Sequence, residues 1–308
     1  MRKTLILFFA VALLLAMLPA GAITNGTPDE GEHPQVGQLL FYVPDAIDDR
    51  FSDPGSWFNC SGTLLSPTVV LTAGHCTWGV GLNGIETTST GGAGGNDVWL
   101  NFTEEPDYSS IPPSGDYIPD NNQGRYDDRV VWAAGDPNWI RGTAYPHPEY
   151  YDPAFFMYDA GIVVLDEPVL LPDGFDYGQL PDLDFLDQFA TKRSSDTRFT
   201  PVGYGLREIK PFFEFGDTRY TASVMLVSLR GTFGIPEGVA VVFSSNPGKH
   251  ATGGTCFGDS GGPFFYEDTT TIVAVNSFGV NPNCKGTGGG YRIDQPDDLA
   301  FINGFLDE

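Results

Sequence analysis

The chain has 308 residues, of which 16 are Lys or Arg and 40 are Asp or Glu, for a formal net charge of −24. That acid excess argues against nucleic acid as a partner, because phosphate binding needs basic stripes. Charged residues make up only 18%, which excludes a disordered polyelectrolyte, and 39 Gly and 24 Pro among aromatic and β-branched runs point to an all-β protein rich in loops.

The first predicted element is a targeting segment. Arg2 and Lys3 precede an apolar run from Leu5 to Leu18, followed by the small-x-small triplet Ala20-Gly21-Ala22. The run is short for a bilayer span and suits a signal-peptide core. An uncleaved anchor is the alternative, and the prompt cleavage triplet favours removal of Met1–Ala22. No later stretch is long and apolar enough to cross a bilayer, so a secreted protein without stable membrane association is expected. Secretion permits disulfides.

Strand-like runs then follow at Val36–Val43, Gly62–Leu65, Val69–Thr72, Val98–Phe102, Ile162–Leu165, Phe199–Gly203, Thr221–Leu229, Val239–Ser244 and Thr271–Asn276. Clusters of Gly, Pro, Asn and Asp separate them. Gly79–Gly95 and Pro106–Asp128 read as long surface loops. The only helical periodicity falls at Gln295–Leu306, with Asp297 and Asp298 in its first turn, where the dipole favours acids.

Two segments carry chemistry: Leu71-Thr72-Ala73-Gly74-His75-Cys76 and Gly258-Asp259-Ser260-Gly261-Gly262-Pro263. A serine hydroxyl is a poor nucleophile at neutral pH until a base takes its proton, and histidine titrates in the right range. A carboxylate must then hold the histidine tautomer and stabilise its cation. Glycines beside the serine let backbone N–H groups turn toward a developing oxyanion. Gly258-x-Ser260-x-Gly262 also fits the nucleophile elbow of α/β-hydrolases, in which the acid and then the histidine follow the serine. Here His33, His75, His147 and His250 all precede Ser260, which leaves the order His, Asp, Ser.

With Ile23-Thr24-Asn25-Gly26, Asp159-Ala160-Gly161-Ile162-Val163-Val164-Leu165, Gly203-Tyr204-Gly205, Cys256–Pro263 and Ser277-Phe278-Gly279, the chain resembles the trypsin/chymotrypsin-like serine proteases. Ala160 departs from the pattern, since the family usually has Ile or Val there. The resemblance implies two six-stranded antiparallel β-barrels with the active site between them and a short C-terminal helix. The N-terminal barrel would cover about 23–180 and the C-terminal barrel about 181–308. It implies His75 as general base, Asp159 as its orienting acid (preferred over Asp152 and Asp166) and Ser260 as nucleophile. The N–H groups of Gly258 and Ser260 would form the oxyanion hole. The α-amine of Ile23, freed by cleavage after Ala22, would pair with Asp259.

Four cysteines allow three pairings; the resemblance selects Cys60–Cys76 and Cys256–Cys284. It also implies Gly254 as pocket floor, Gly279 and Gly289 as pocket walls, and Ser277-Phe278-Gly279 as the strand that pairs with substrate. Gly254 stands where trypsin-like relatives have an acid, so cleavage after large apolar or aromatic residues is expected rather than after Arg or Lys. No metal and no cofactor are expected, and no EF-hand spacing is present. The expected partners are protein or peptide substrates met by a monomer. A catalytically silent homologue acting as a binding module, or an esterase on the same fold, are the competing readings.

Overall fold

A computed structural model describes residues 23–46, 54–81, 95–112, 122–190, 197–206, 218–230, 234–246 and 251–307. The targeting segment, His250 and most of the first long loop lie outside these.

The strands in chain order are β1 (Thr27–Pro28), β2 (Val36–Val43), β3 (Ser56–Leu64), β4 (Val69–Thr72) and β5 (Gly95–Asn101). Helix α1 (Asn122–Gly135) precedes β6 (Trp139–Pro146) and β7 (Gly161–Leu165). The second half holds β8 (Arg198–Gly203), β9 (Tyr220–Thr221), β10 (Val224–Ser228), β11 (Ala240–Ser244), β12 (Pro263–Tyr266), β13 (Ile272–Gly279), β14 (Thr287–Arg292) and helix α2 (Pro296–Leu306).

Strands β2-β3-β4-β7-β6-β5 close into one antiparallel barrel; β8-β10-β11-β14-β13-β12 form a second, closed by pairing of β8 with β12. Side-chain alternation explains why the strands read as continuous apolar runs. On β4, Val70 fills the first barrel with Leu39, Leu64 and Val163, while Val69 and Leu71 face the other way and meet Val202, Ile272 and Val275 of the second barrel. Both faces are dry, so no polar alternation survives. The second barrel has its own interior of Phe199, Val241, Phe243 and Phe264.

The sequence reading missed several elements. The segment Pro106–Asp128, read as a loop, gives way to helix α1 from Asn122. Tyr126 and Ala133, seven residues apart, are buried on one face of the helix, with the partly buried Val130 between them. The Tyr126 hydroxyl donates to Asp97 Oδ1 at 2.8 Å. The interleaved Asp127, Asp128 and Arg129 obscure that stripe in the sequence. Strand β14 carries Gly288, Gly289 and Gly290, a composition that argues against a strand. Its glycines are demanded by packing, since a Cβ on Gly290 would lie 2.9 Å from Ala274 Cβ.

The two chain ends cross between the barrels. Strand β1 pairs with β9, which lies against β8 of the second barrel. Helix α2 returns to the first barrel, where Phe305 packs on Tyr145 and Phe301 on His147. A buried ion pair anchors the first crossing: Arg219 Nε donates to Asp29 Oδ2 at 2.7 Å, with side chains 2% and 0% exposed. Arg219 Nη1 also donates to the carbonyls of Val36 at 3.1 Å and Phe102 at 3.2 Å. Asp29 accepts from the backbone N–H of His33 at 2.9 Å. Asp29 also meets His33 Nδ1 at 2.5 Å, so truncating Arg219 leaves this buried carboxylate with the backbone and ring of His33 as its partners. Arg219→Leu is therefore expected to lower the unfolding free energy by about 3–5 kcal/mol; urea unfolding with no change in midpoint would contradict this.

Candidate active site

His75 follows β4 on a short 3-10 turn, Gly74–Cys76. The turn is pressed close: a Cβ on Gly74 would lie 2.6 Å from the Tyr150 ring. The Cys60–Cys76 disulfide ties it to β3. Asp159 sits just before β7 and is fully buried. Its Oδ1 accepts from the backbone N–H of His75 at 2.9 Å, and His75 Nδ1 lies 3.0 Å from each carboxylate oxygen. Ser277 Oγ donates to Oδ2 at 2.6 Å. Burial works against a charged His75 imidazole, and the Asp159 carboxylate overrides it, so its pKa is raised above the ordinary value.

Ser260 lies on the tight loop between the Cys256–Cys284 disulfide and β12. Two glycines of this loop have φ in the left-handed region, Gly258 at 96° and Gly261 at 75°. A Cβ on Gly261 would lie 2.0 Å from Thr72 Oγ1, so that contact forces glycine and seats the serine loop against the residues leading into His75. The Ser260 carbonyl accepts from Ser61 N–H at 2.7 Å, and Ser61 Oγ donates to the Gly258 carbonyl at 3.1 Å. Among the described residues, the N–H groups of Gly258 and Ser260 have no protein acceptor. Asp259 is 1% exposed and accepts from the N–H of Gly205 and of Cys256, each at 2.8 Å. Burial pushes its carboxyl up to about 7. Ile23 is fully buried against Tyr220 and Ala222, and Thr24 bridges to Gly254; among the described residues the hydrogen-bond partners of the Asp259 carboxylate are Gly205 and Cys256, not Ile23.

A cavity of about 250 Å³ opens at Ser260, with Ser277, Phe278 and Gly279 along one side. A Cβ on Gly279 would meet only Asn281 O, at 3.8 Å, so this wall is open. Gly254 is placed against Ser245, and Gly289 beneath the Phe278 ring, where added Cβ atoms would approach to 2.3 Å and 2.0 Å. Sequence reasoning missed Phe155, whose ring meets that of His75 edge-on at 6.3 Å, and Asn276, both of which line the cavity. The signal for Asn276 was an amide ending the apolar run Ile272–Val275. The second contact of Ser277, to Asp159, was also missed. Cys60, His75 and Cys76 cluster as a metal site would, but both sulfurs are spent in the disulfide. Among the described residues no helix is long and apolar enough to cross a membrane.

Two antiparallel barrels, with a histidine bonded to a buried aspartate just before β7, match the fold of the trypsin-like proteases. The Trypsin family model matches residues 138–295, and the chain belongs to that family. It is 24% identical over 295 residues to Serine protease 1 and to Serine protease 2 of Drosophila melanogaster, covering 93% of this chain and 84% of theirs. Brachyurin of Leptuca pugilator is 26% identical over 251 residues, covering 80% of this chain and 84% of its own. The solved structure of HL collagenase superposes with a TM-score of 0.59 at 16% identity, covering 93% of this chain and 99% of that one. That of HBP gives 0.55 at 17%, covering 93% and 97%.

Proposed function

We propose that this chain is a secreted serine endopeptidase that cleaves peptide bonds after large apolar or aromatic residues through an acyl-enzyme. The observation that carries the reading is the Asp159 carboxylate, which holds both His75 Nδ1 and Ser277 Oγ beside the cavity at Ser260. His75 takes the Ser260 proton as the hydroxyl attacks the carbonyl carbon, then donates it to the leaving amine. The N–H groups of Gly258 and Ser260 receive the oxyanion. Water repeats the cycle on the ester. Ser277-Phe278-Gly279 pairs with the substrate backbone as an added strand.

The test is labelling of the secreted protein with a fluorophosphonate, followed by peptide mapping, alongside a protein-hydrolysis assay. Modification of Ser260 with hydrolysis supports the proposal. No labelling and no hydrolysis leaves a binding homologue, and labelling with cleavage of esters alone leaves an esterase.

Cleavage after Ala22 frees the Ile23 amine, which pairs with Asp259 and sets the oxyanion loop. Without that amine, the folded Asp259 carboxyl sits near 7, up from its ordinary 3.8. The folded chain then binds an extra proton in that interval, and its stability falls as pH rises from about 4 to 7. In the chain starting at Ile23 the paired carboxylate removes that fall. Thermal unfolding of the two forms across this range is expected to diverge toward pH 7; parallel curves contradict the pairing. N-terminal sequencing of active enzyme is expected to read Ile-Thr-Asn-Gly.

A further inference from the structure

Ser61 is fully buried on β3 of the first barrel, and its backbone and hydroxyl reach across to the serine loop of the second. Its N–H donates to the Ser260 carbonyl at 2.7 Å. Its Oγ donates to the Gly258 carbonyl and accepts from the N–H of Tyr204, each at 3.1 Å, so the buried hydroxyl is satisfied as donor and as acceptor. Its carbonyl accepts from Thr72 Oγ1 at 2.8 Å, and the preceding Cys60 is bridged to Cys76, the residue after His75. The carbonyls flanking Gly258 have backbone donors: that of Phe257 takes Leu206 N–H at 2.7 Å, and that of Asp259 takes Gly262 N–H at 2.9 Å. For the Gly258 carbonyl, among the described residues, the donor is Ser61 Oγ. Gly258 has φ 96°, and glycine leaves its adjoining peptides the most freedom to turn. The Gly258–Asp259 peptide lies between the two peptides that carry the N–H groups of Gly258 and Ser260.

We infer that Ser61 is a positioning residue whose hydroxyl, reaching over from the first barrel, fixes the Gly258–Asp259 peptide and so keeps the N–H groups of Gly258 and Ser260 converged on the oxyanion. This rests on the hydrolase reading above and adds to it a part supplied by the opposite barrel. Donors stabilise a developing charge to the extent that they are aimed before it forms, so that nothing must reorganise at the moment of reaction. Alanine at position 61 keeps both donors but removes the stop on the peptide between them. The disulfide fastens the turn that bears His75 to β3 at Cys60, and the serine loop is fastened to the next residue of the same strand. Base and oxyanion donors are thereby set on one frame.

The experiment compares the wild type with Ser61→Ala and Ser61→Gly. Each variant is expected to lower kcat by about tenfold to a hundredfold, less than the loss of a whole donor, with KM within about twofold of the wild type. KM is spared because Ser61 does not line the cavity. A peptidyl trifluoromethyl ketone, whose adduct on Ser260 carries the oxyanion, is expected to lose the same factor in affinity. The pKa of that oxyanion, read by carbon NMR, is expected to rise by about one to two pH units; a hydroxyl that only supports folding would leave it in place. Unchanged kcat, a loss confined to KM or an unmoved oxyanion pKa overturns the inference. So does loss of folding in both variants, which assigns the hydroxyl to stability alone. Amide hydrogen exchange keeps the two readings apart. A wild-type chain that hydrolyses nothing sinks the hydrolase reading; faster exchange confined to 257–262 in the variants then still supports the hold of Ser61 on the loop, and unchanged exchange overturns it.

Discussion

Ser260→Ala is expected to lower kcat by about 10⁶ while leaving KM near its wild-type value. Alanine removes only the nucleophilic oxygen. The backbone of this loop is held independently of the hydroxyl, by Ser61 N–H on the Ser260 carbonyl and by Asn276 O on Gly261 N–H, at 2.7 and 2.8 Å. Substrate therefore still meets the same strand and cavity. A loss of 10⁶ corresponds to about 8 kcal/mol of transition-state stabilisation, too much for any single hydrogen bond and characteristic of a lost covalent route. Since base and nucleophile act as one unit, adding His75→Ala to Ser260→Ala is expected to cost little more. Steady-state hydrolysis of a chromogenic peptide measures both. Retention of more than a hundredth of the activity by Ser260→Ala would place the nucleophile elsewhere.

The second large effect belongs to Asp159→Asn, expected to reduce kcat by about 10⁴ near neutral pH. The carboxylate accepts three hydrogen bonds at once, from the His75 backbone, from its ring and from Ser277. An asparagine presents a donor on one side, which opposes either Nδ1–H or the Ser277 hydroxyl and favours the wrong imidazole tautomer. The pH dependence separates this role from mere packing. His75 must be neutral to act as base, so kcat/KM of the wild type rises as pH increases through a pKa held above the ordinary histidine value by Asp159. Without the carboxylate, burial, which lowers that pKa, is opposed only by the charge of Asp152, so the acid limb of the residual activity is expected to move to lower pH. An unmoved acid limb would contradict the electrostatic role of Asp159.

Features carried by local pattern were legible in the sequence. The doubly buried strands β4 and β7 announced themselves as unbroken apolar runs, and helix α2 by its early acids and its periodicity. The glycines beside Ser260 were readable as backbone freedom, but their cause lies in contacts between distant segments. Gly203 and Gly205 surround the Asp259 carboxylate closely: added Cβ atoms would come within 2.4 Å and 2.5 Å of it. The bond between Ser277 and Asp159 joins residues 118 positions apart, and no periodicity encodes such a meeting. Helix α1 was missed for a different reason. Its buried face is short: Val130 and Ala133 pack with Leu40, Trp99 and Trp139, and Tyr126 meets Tyr42 and Trp57. Tertiary packing there outweighs a weak local signal.

The crossed chain ends give the molecule a tolerance to a break in its chain. A single cut in the connection between β7 and β8 would separate the covalent chain into two pieces. The front piece would still hold β1 against β9, and the rear piece would still hold α2 against the first barrel. Each fragment carries a clasp on the other, and the cleft at their junction depends on that mutual grip rather than on the continuity of the connecting chain.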